Sequence, residues 1–273
     1  MSVLKNLQPE RVFYYFEEIT KIPHGSGNTK QISDYLAEFA RNHGLRYIQD
    51  ESNNIIIFKE ASKGYEKAPC VILQGHMDMV CEKTPGSAHD FTRDPLKLVV
   101  EGDYISAEDT TLGGDDGIAV AYALAILEDD SLPHPALEVL ITVDEEIGLL
   151  GAAALDTAPL KGRYLINLDS EEEGYLWVGC AGGLTAQTSI PVKYQETRGM
   201  KYEITVSGLL GGHSGAEIDK NRANATLLLG RFLFEAREKE DYVLAELEGG
   251  QKDNAIPRTA RALILADSKA GAE

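Results

Sequence analysis

Acidic residues and one histidine stand where several apolar runs of the sequence end. His76 and Asp78, for example, follow the run that ends at Leu73. The full set is His76, Asp78, Asp115, Asp116, Glu145, Glu146 and Asp169. Imidazole and carboxylate groups bind divalent metal ions, and carboxylates also transfer protons during hydrolysis. Because so many acids in one cleft would raise one another's pKa values unless a cation neutralised them, the set predicts a metal site.

Each short motif, taken alone, also has an ordinary structural interpretation. In an extended segment 76–78 the histidine and the aspartate point the same way, so the carboxylate can steady the imidazole while its other nitrogen binds metal. A solvated loop is the alternative there. Segment 111–117 could be a turn and a helix start, and residues 145–146 and Asp169 could be surface charges. Their shared position after apolar runs favours a common site.

Short runs rich in β-branched residues, separated by glycine-containing loops, predict a sheet in the first part of the chain. The predicted strands are 55–58, 70–73, 137–143 and 164–168, with a helix over 118–128. Unbroken apolar strands are typical of a sheet covered on both faces, which indicates an α/β layered domain. Ligands of such sheets bind beyond the strand ends at one edge, so the four acidic loops should converge there.

Two helices are predicted before the first strand. The first should begin at Pro9 and bury one apolar face, and the second should be capped by Asn28 and end at Gly44. The pattern changes near residue 187, after which the chain predicts a half-exposed strand, a helix and two further strands. These are 202–206, 223–237, 242–247 and 260–266, an α+β pattern. We therefore predict two domains, 1–186 and 187–273.

Charge and composition exclude some classes of function. The chain has 273 residues, 43% of them hydrophobic, and 26 basic against 44 acidic residues give a net charge of −18. That charge repels phosphate backbones and anionic lipid surfaces, so neither nucleic acid nor a membrane is an expected partner. The longest apolar runs fall far short of the roughly 20 residues of a membrane span, and no signal peptide is evident. Three cysteines are too few for a disulfide framework, so we expect a cytoplasmic protein.

Four motifs in order resemble the M20 family of di-zinc peptidases. They are Gln-Gly-His-Met-Asp-Met-Val at 74–80, Leu-Gly-Gly-Asp-Asp-Gly at 112–117, Val-Asp-Glu-Glu-Ile-Gly at 143–148 and Leu-Asp-Ser-Glu-Glu-Glu-Gly at 168–174. The chain is most similar to the cytosolic Xaa-His dipeptidase branch, also at 178–183 and in Gly-Gly-His-Ser-Gly at 211–215. The resemblance runs from about residue 9 to the end. It implies a layered α/β/α catalytic domain with a mixed central sheet, and an α+β lid or dimerisation domain.

The resemblance also implies roles for the acidic residues. Asp115 would bridge two zinc ions, His76 and Asp169 would complete the ligands of one, and Glu146 would hold the other. Two cations about 3.5 to 4 Å apart would share a hydroxide and polarise the scissile carbonyl. Glu145 would be the general base and Asp78 would orient His76. The family also tends to have a cis peptide after the bridging aspartate.

Two residues of the second domain match family positions near the substrate. The resemblance implies that His213 stabilises the oxyanion, from a lid or from a neighbouring subunit, so a homodimer is one expectation. It implies that Asn254 contacts the substrate. The alternatives are a satisfied turn residue for His213 and a turn before Pro257 for Asn254.

One family feature has no match in this sequence. The family supplies a last metal-binding histidine far downstream, and none of the histidines here has its surroundings. We therefore expect the chain to be the N-terminal part of such a peptidase with an incomplete lid, holding one or two zinc ions, with Co²⁺ or Mn²⁺ as substitutes. The predicted function is zinc-dependent hydrolysis of Xaa-His dipeptides, a metallo-dipeptidase acting on small peptides. The alternatives are another M20 activity, such as a tripeptidase or an acyl-amino-acid deacylase, or an inactive metal-binding fragment.

Overall fold

The apolar runs of the sequence pair into sheets in a computed structural model of the chain. The structure describes residues 2–170, 173–180, 182, 184, 186–215, 217–252 and 254–267. Contacts divide the chain into two units, Met1–Tyr175 and Leu176–Glu273, while the boundary at residue 187 stays a prediction. No helix among the described residues is long and apolar enough to cross a membrane.

The first unit is a mixed α/β structure. Its elements are α1 (Glu10–Ile19), α2 (Lys30–Asn42), β1 (Arg46–Gln49), β2 (Ile55–Lys59), β3 (Val71–His76), β4 (Leu98–Glu101), β5 (Tyr104–Ala107), α3 (Gly114–Glu128), β6 (Leu137–Thr142), α4 (Leu150–Ala154) and β7 (Tyr164–Asn167). Five strands form one sheet in the order β1-β2-β6-β3-β7, and β4 and β5 form a separate hairpin. Strand β3 is parallel to β6 and β7, whereas β2 is antiparallel to β1 and β6. This confirms the predicted α/β class with a mixed central sheet.

The core lies mainly on the face of the sheet that packs against α1, α2 and α3. Alternate residues of β2 and β6, such as Ile55, Ile57 and Ile141, are buried against these helices. The residues between them, such as Ile56 and Leu140, are buried on the other face. Burial on both faces explains why the runs are apolar without alternation. Each such side chain contributes about 1.5 to 3 kcal/mol when buried.

The helix ends and several short elements differ from the sequence prediction. Thr29, not Asn28, is the N-cap residue of α2, and its side chain makes no capping hydrogen bond. The prediction for Asn28 was therefore wrong by one residue. Gly44 follows the helix with a φ of 66°, as predicted, because glycine adopts the left-handed conformation at little cost. The short elements β1, β4, β5 and α4 were not predicted.

A buried lysine caps the far end of α3. The Nζ atom of Lys59, at the end of β2, donates hydrogen bonds to the carbonyl oxygens of Ile126, Leu127 and Asp129 at 3.3, 3.0 and 3.0 Å. Lys59 is 7% exposed. The first two carbonyls belong to the last turn of α3, and the third belongs to the residue that follows it. Carbonyl groups at a helix C-terminus lack intrahelical partners and carry partial negative charge. The lysine therefore ties the helix to the sheet.

The second unit is an α+β structure. Its elements are β8 (Met200–Val206), β9 (Gly212–His213), a 3₁₀ turn (Ile218–Lys220), α5 (Ala225–Arg237), β10 (Tyr242–Gly249), β11 (Ala255–Ile256) and β12 (Ala260–Ala266). An antiparallel sheet has the order β10-β12-β8, and β9 pairs with β11 in a separate ribbon. Leu229 and Leu233 of α5 pack on Ala260 and Ala262 of β12. Asn224 caps α5, because its Oδ1 accepts a hydrogen bond from the Leu227 N–H at 3.1 Å.

Candidate metal centre

The ends of three parallel strands carry the predicted site residues of the first unit. His76 is the last residue of β3, Glu145 comes three residues after β6, and Asp169 comes two residues after β7. Because these strands are parallel, their carboxyl ends lie at one edge of the sheet. Asp115 lies in the first turn of α3, which packs against β3. The sheet edge therefore brings the predicted residues to one place.

The buried imidazole of His76 faces a group of carboxylates. Its side chain is 1% exposed. The Nε2 atom lies 3.0 Å from Asp115 Oδ1, 3.9 Å from Glu145 Oε2 and 4.0 Å from Asp169 Oδ2. Ligand atoms of His76, Glu145 and Glu146 also lie within 4.8 Å of one another. The predicted ligands are thus neighbours in space.

Asp78 is a buried anchor between two loops. His76 Nδ1 lies 2.9 Å from the Asp78 backbone carbonyl oxygen and 3.3 Å from Asp78 Oδ1. Asp78 Oδ1 also accepts the Glu145 N–H at 3.1 Å. Its Oδ2 accepts the Ser26 hydroxyl at 2.8 Å and the Glu146 N–H at 3.4 Å. Burial alone would raise the pKa of Asp78, but hydrogen bonds from His76, Ser26 and Glu145 hold it below its ordinary value. One carboxylate therefore positions the histidine and both glutamates.

Asp116 belongs to the same cluster, although the sequence assigned it no separate role. It is 1% exposed, and its Oδ2 accepts the His76 N–H at 3.1 Å. The Asp115–Asp116 peptide bond is cis, as the family resemblance implies. A Cβ atom on Gly75 would lie 2.5 Å from this Oδ2, so only glycine lets β3 approach the carboxylate. The close approach of Gly75 to Asp116 cannot be predicted from the sequence alone.

Charge in the cluster shifts the pKa of several groups. Burial opposes the charged imidazole, but the hydrogen bond and charge of Asp78 and the nearby acids outweigh it and raise the pKa of His76 to about 10. Burial, reinforced by Asp169, raises the pKa of Asp116 to about 7. Burial, reinforced by Asp115, raises the pKa of Glu146 to about 7 and burial also raises that of Glu145. These acids repel one another, and a cation among them would relieve that repulsion.

The donor set fits a divalent metal ion. Two groups of side chains have ligand atoms within 4.8 Å of one another: His76 with Asp116 and Asp169, and His76 with Glu145 and Glu146. One imidazole nitrogen with carboxylate oxygens is the donor chemistry of zinc and similar metals. The first group contains Asp116, whereas the sequence predicted Asp115 as the shared ligand. The bridging role of Asp115 stays a prediction.

A buried asparagine holds the loop that carries both glutamates. Asn54, 1% exposed, accepts the Val143 N–H at 3.1 Å and donates to the Gly151 carbonyl at 2.9 Å. A Cβ atom on Gly151 would lie 2.3 Å from the Val143 carbonyl oxygen, so glycine permits this tight return of the chain. Asn54 thereby fixes both ends of the segment that presents Glu145. No sequence pattern pointed to this residue.

His213 and Asn254 lie next to each other in the second unit. His213 on β9 pairs with Ala255 on β11, and the Ser214 N–H donates to the Asn254 carbonyl at 2.8 Å. The His213 N–H donates to Glu217 Oε2 at 3.0 Å. The structure thus places the two predicted substrate residues on one ribbon. Parts of the predicted motifs at 168–174 and 178–183 lie outside the described residues.

Comparison with known proteins shows what this chain is similar to. Residues 204–272 match the family described as the M20 peptidase dimerisation domain. The chain is 41% identical over 266 residues to the cytosol non-specific dipeptidase of Escherichia coli K12, covering 97% of this chain and 55% of that protein. Residues 204–272 are thus similar to the M20 dimerisation domain, and the chain is similar along nearly its whole length to a dipeptidase. It spans about half the length of the curated relatives it matches.

Two solved structures are also similar to this chain. The aminoacylhistidine dipeptidase of Vibrio alginolyticus matches with 37% identity and a TM-score of 0.71, covering 97% of this chain and 55% of that one. A tripeptidase of Staphylococcus aureus matches with 20% identity and a TM-score of 0.54, covering 93% of this chain and 65% of that one. The second match shows the fold alone. The first match extends along nearly the whole of this chain.

Proposed function

We propose that this chain carries the metal-binding catalytic site of a dipeptidase that hydrolyses Xaa-His dipeptides. The observation that carries the proposal is the convergence of His76, Asp115, Glu145, Glu146 and Asp169 at one sheet edge. The substrate class comes from the relatives named cytosol non-specific dipeptidase and aminoacylhistidine dipeptidase. A cytoplasmic location and a homodimer formed through residues 204–272 are parts of the same proposal.

Four residues would hold the metal. His76, Asp115, Glu146 and Asp169 are the proposed ligands, with Asp115 shared between two zinc ions or, where one is bound, completing its ligands. Co²⁺ or Mn²⁺ would substitute, because both accept imidazole and carboxylate. When bound, such ions supply Lewis acidity, which makes water more acidic and a peptide carbonyl more electrophilic.

The chain's own residues would move the proton and hold the substrate. Glu145 is the proposed general base, which takes a proton from the attacking water and returns it to the leaving amine. Asp78 keeps the His76 ring in place through the contact at 3.3 Å. His213 would stabilise the oxyanion and Asn254 would contact the substrate.

The test compares metal content with hydrolysis in the same preparations. The 273-residue chain is stripped with a chelator, reloaded with zinc, and assayed on glycyl-histidine, β-alanyl-histidine, a dipeptide without histidine and a tripeptide. Because none of the histidines of this sequence matches the family's last metal-binding histidine, we expect only slow zinc-dependent release of histidine. Glu145→Gln should reduce that turnover by about 10² to 10⁴ without loss of zinc. Glu60→Gln, which alters an exposed glutamate in the same unit, is the matched control.

Each other outcome contradicts part of the proposal. Zinc binding without hydrolysis of any of these peptides would favour an inactive metal-binding chain. Faster cleavage of the tripeptide would contradict the dipeptide assignment. Full turnover by Glu145→Gln would show that another group accepts the proton.

A further inference from the structure

The loop of residues 23–27 lies between α1 and α2 in the chain and contacts the acidic cluster, which is the group of carboxylates around His76. Two backbone hydrogen bonds lay it along the segment after β3: the Met79 N–H donates to the His24 carbonyl at 3.2 Å, and the Ser26 N–H donates to the Met79 carbonyl at 3.3 Å. A Cβ atom on Gly25 would lie 2.3 Å from Cys81 Sγ, so glycine permits the close approach. The register of this loop places the Ser26 side chain next to Asp78.

Ser26 makes a specific contact with the buried anchor. Its hydroxyl donates to Asp78 Oδ2 at 2.8 Å across 52 residues of sequence. The next residue, Gly27, donates its N–H to Asp144 Oδ1 at 2.7 Å. Asp144 immediately precedes the two glutamates of the cluster. The loop therefore touches both segments that carry metal-binding candidates.

The Asp78 carboxylate has more than one orientation available unless its donors restrict it. An ionised carboxylate accepts about four hydrogen bonds, and here His76, Ser26 and the N–H groups of residues 145 and 146 surround it. Ser26 is the one side-chain donor among these that comes from outside the cluster. Without the Ser26 hydroxyl, the Asp78 carboxylate can rotate and loosen its hold on the loop of Glu145 and Glu146. It can also lose its 3.3 Å contact with the His76 ring, which keeps the Asp78 backbone carbonyl as a partner at 2.9 Å.

We propose that Ser26 is a positioning residue of the metal centre, acting through Asp78. The inference rests on the metal site of the proposed function but adds a residue and a loop that no motif assigned. The hydroxyl of Ser26 donates to Asp78, which is not one of the proposed ligands. Loss of the Ser26 hydroxyl should therefore weaken metal binding and make the loop of Glu145 and Glu146 more mobile, and it should not remove a group that takes part in the reaction. Groups that hold a metal ligand in place typically change metal affinity by about 10- to 100-fold.

The experiment measures two quantities in the 273-residue chain and three variants. Co²⁺ affinity is measured by competition with a chelator, and exchange of the Glu145 and Glu146 amide hydrogens is followed by NMR in the metal-free chain. Ser26→Ala should weaken Co²⁺ binding about tenfold and speed both exchange rates about tenfold. Ser26→Thr keeps the hydroxyl and should stay near the wild type. Ser62→Ala is the matched control, because its half-buried hydroxyl donates to the His134 carbonyl ahead of β6, away from the strand ends that form the site.

The other outcomes are decisive as well. Wild-type affinity and exchange in Ser26→Ala would overturn the positioning role. An equal effect of Ser62→Ala would also overturn it, since that would be a general loss of stability. Absence of Co²⁺ binding by the wild type would overturn the metal centre of the proposed function, and the exchange rates in the metal-free chain would still decide whether Ser26 positions the loop.

Discussion

The two units hold their candidate functional loops by different physical means. In the first unit, the loop of Glu145 is fixed by buried Asp78 and Asn54, whose hydrogen bonds span 67 and 89 residues of sequence. In the second unit, the backbone of His213 is fixed by Glu217, four residues away, which is 27% exposed in its side chain. Glu217 in turn pairs with Arg222, five residues away, at 2.7 Å. One loop depends on buried side-chain hydrogen bonds, and the other depends on a partly exposed ion pair together with the backbone pairing of β9 and β11.

This difference has consequences for rigidity. A buried polar group that loses a partner costs roughly 1 to 3 kcal/mol, because water does not replace the missing bond. An exposed ion pair contributes little and is screened by salt. The metal cluster should therefore keep its geometry as long as the first unit is folded, whereas the His213 loop can adjust at small cost. A preorganised candidate metal centre and an adjustable loop at His213 are compatible with the proposed peptidase function.

The largest effect is expected from Asp78→Asn. The asparagine amide has the shape of the carboxylate but replaces one acceptor oxygen by an NH₂ group, which cannot accept a hydrogen bond. In one orientation this NH₂ group faces the donors of Ser26 and Glu146, and in the other it faces those of His76 and Glu145. We expect the free energy of unfolding of the first unit to fall by about 3 kcal/mol. Urea denaturation, read by amide exchange in β2 and β6, measures it. A loss below about 1 kcal/mol would show that the anchor is not a rigid buried network.

The sequence located the cluster because its members follow apolar runs. His76, Glu145, Glu146 and Asp169 were placed correctly at the sheet edge, since parallel strands end together. Asp116, Ser26 and Asn54 were missed as partners because their contacts join segments 40, 52 and 89 residues apart. No local sequence pattern indicates such a long-range contact.

Helix periodicity was a better guide than cap residues. Helices α1 and α2 were predicted from their apolar spacing, and their apolar faces are buried in the core. Helices at 118–128 and 223–237 were also predicted, and the structure has α3 and α5 there, with α3 beginning earlier, at Gly114. The cap of α2 was misplaced because asparagine and threonine are both good caps and stand side by side at 28 and 29. The strands β1, β4 and β5 were missed because short, partly exposed strands carry little apolar pattern.

Lys59, a second buried polar group of the first unit, tests whether buried hydrogen-bonded side chains in general stabilise that unit. Lys59→Met keeps the apolar stem but leaves the carbonyls of Ile126, Leu127 and Asp129 without their charged donor. We expect a loss of about 2 kcal/mol in unfolding free energy, measured by urea denaturation. Lys63→Met, at an exposed position, is the control and should change little. Equal effects of the two would contradict the capping role.

A cap in the second unit should matter less. Asn224→Ala removes the hydrogen bond from the Leu227 N–H at 3.1 Å and should cost about 1 kcal/mol. Asn224→Asp keeps an acceptor and should stay within a few tenths of the wild type. Amide exchange in α5 separates this effect from changes in the first unit. If Asn224→Ala cost as much as Asp78→Asn, the contrast between the two units would fail.

The smallest change in stability is expected from a substitution of Glu217. The salt dependence of the Glu217 pKa distinguishes the second unit from the first. Hydrogen bonds from Lys220 and from the His213 N–H, together with the charge of Arg222, lower the pKa of Glu217 to about 2. Since the folded pKa lies below the unfolded one, any stabilisation is complete above the ordinary glutamate pKa and is lost as the pH falls toward 2.

Glu217→Gln should therefore leave thermal stability at pH 7 close to that of the wild type, because the pair is solvated. NMR titration of the glutamate carboxyl should show its pKa rising toward the ordinary value in 1 M salt, where the Debye length is about 3 Å. The depressed pKa of buried Asp78 should not move in the same salt, because its donors are hydrogen bonds sheltered from ions. A salt-sensitive Asp78 together with a salt-insensitive Glu217 would reverse the proposed difference between the packed cluster and the surface loop.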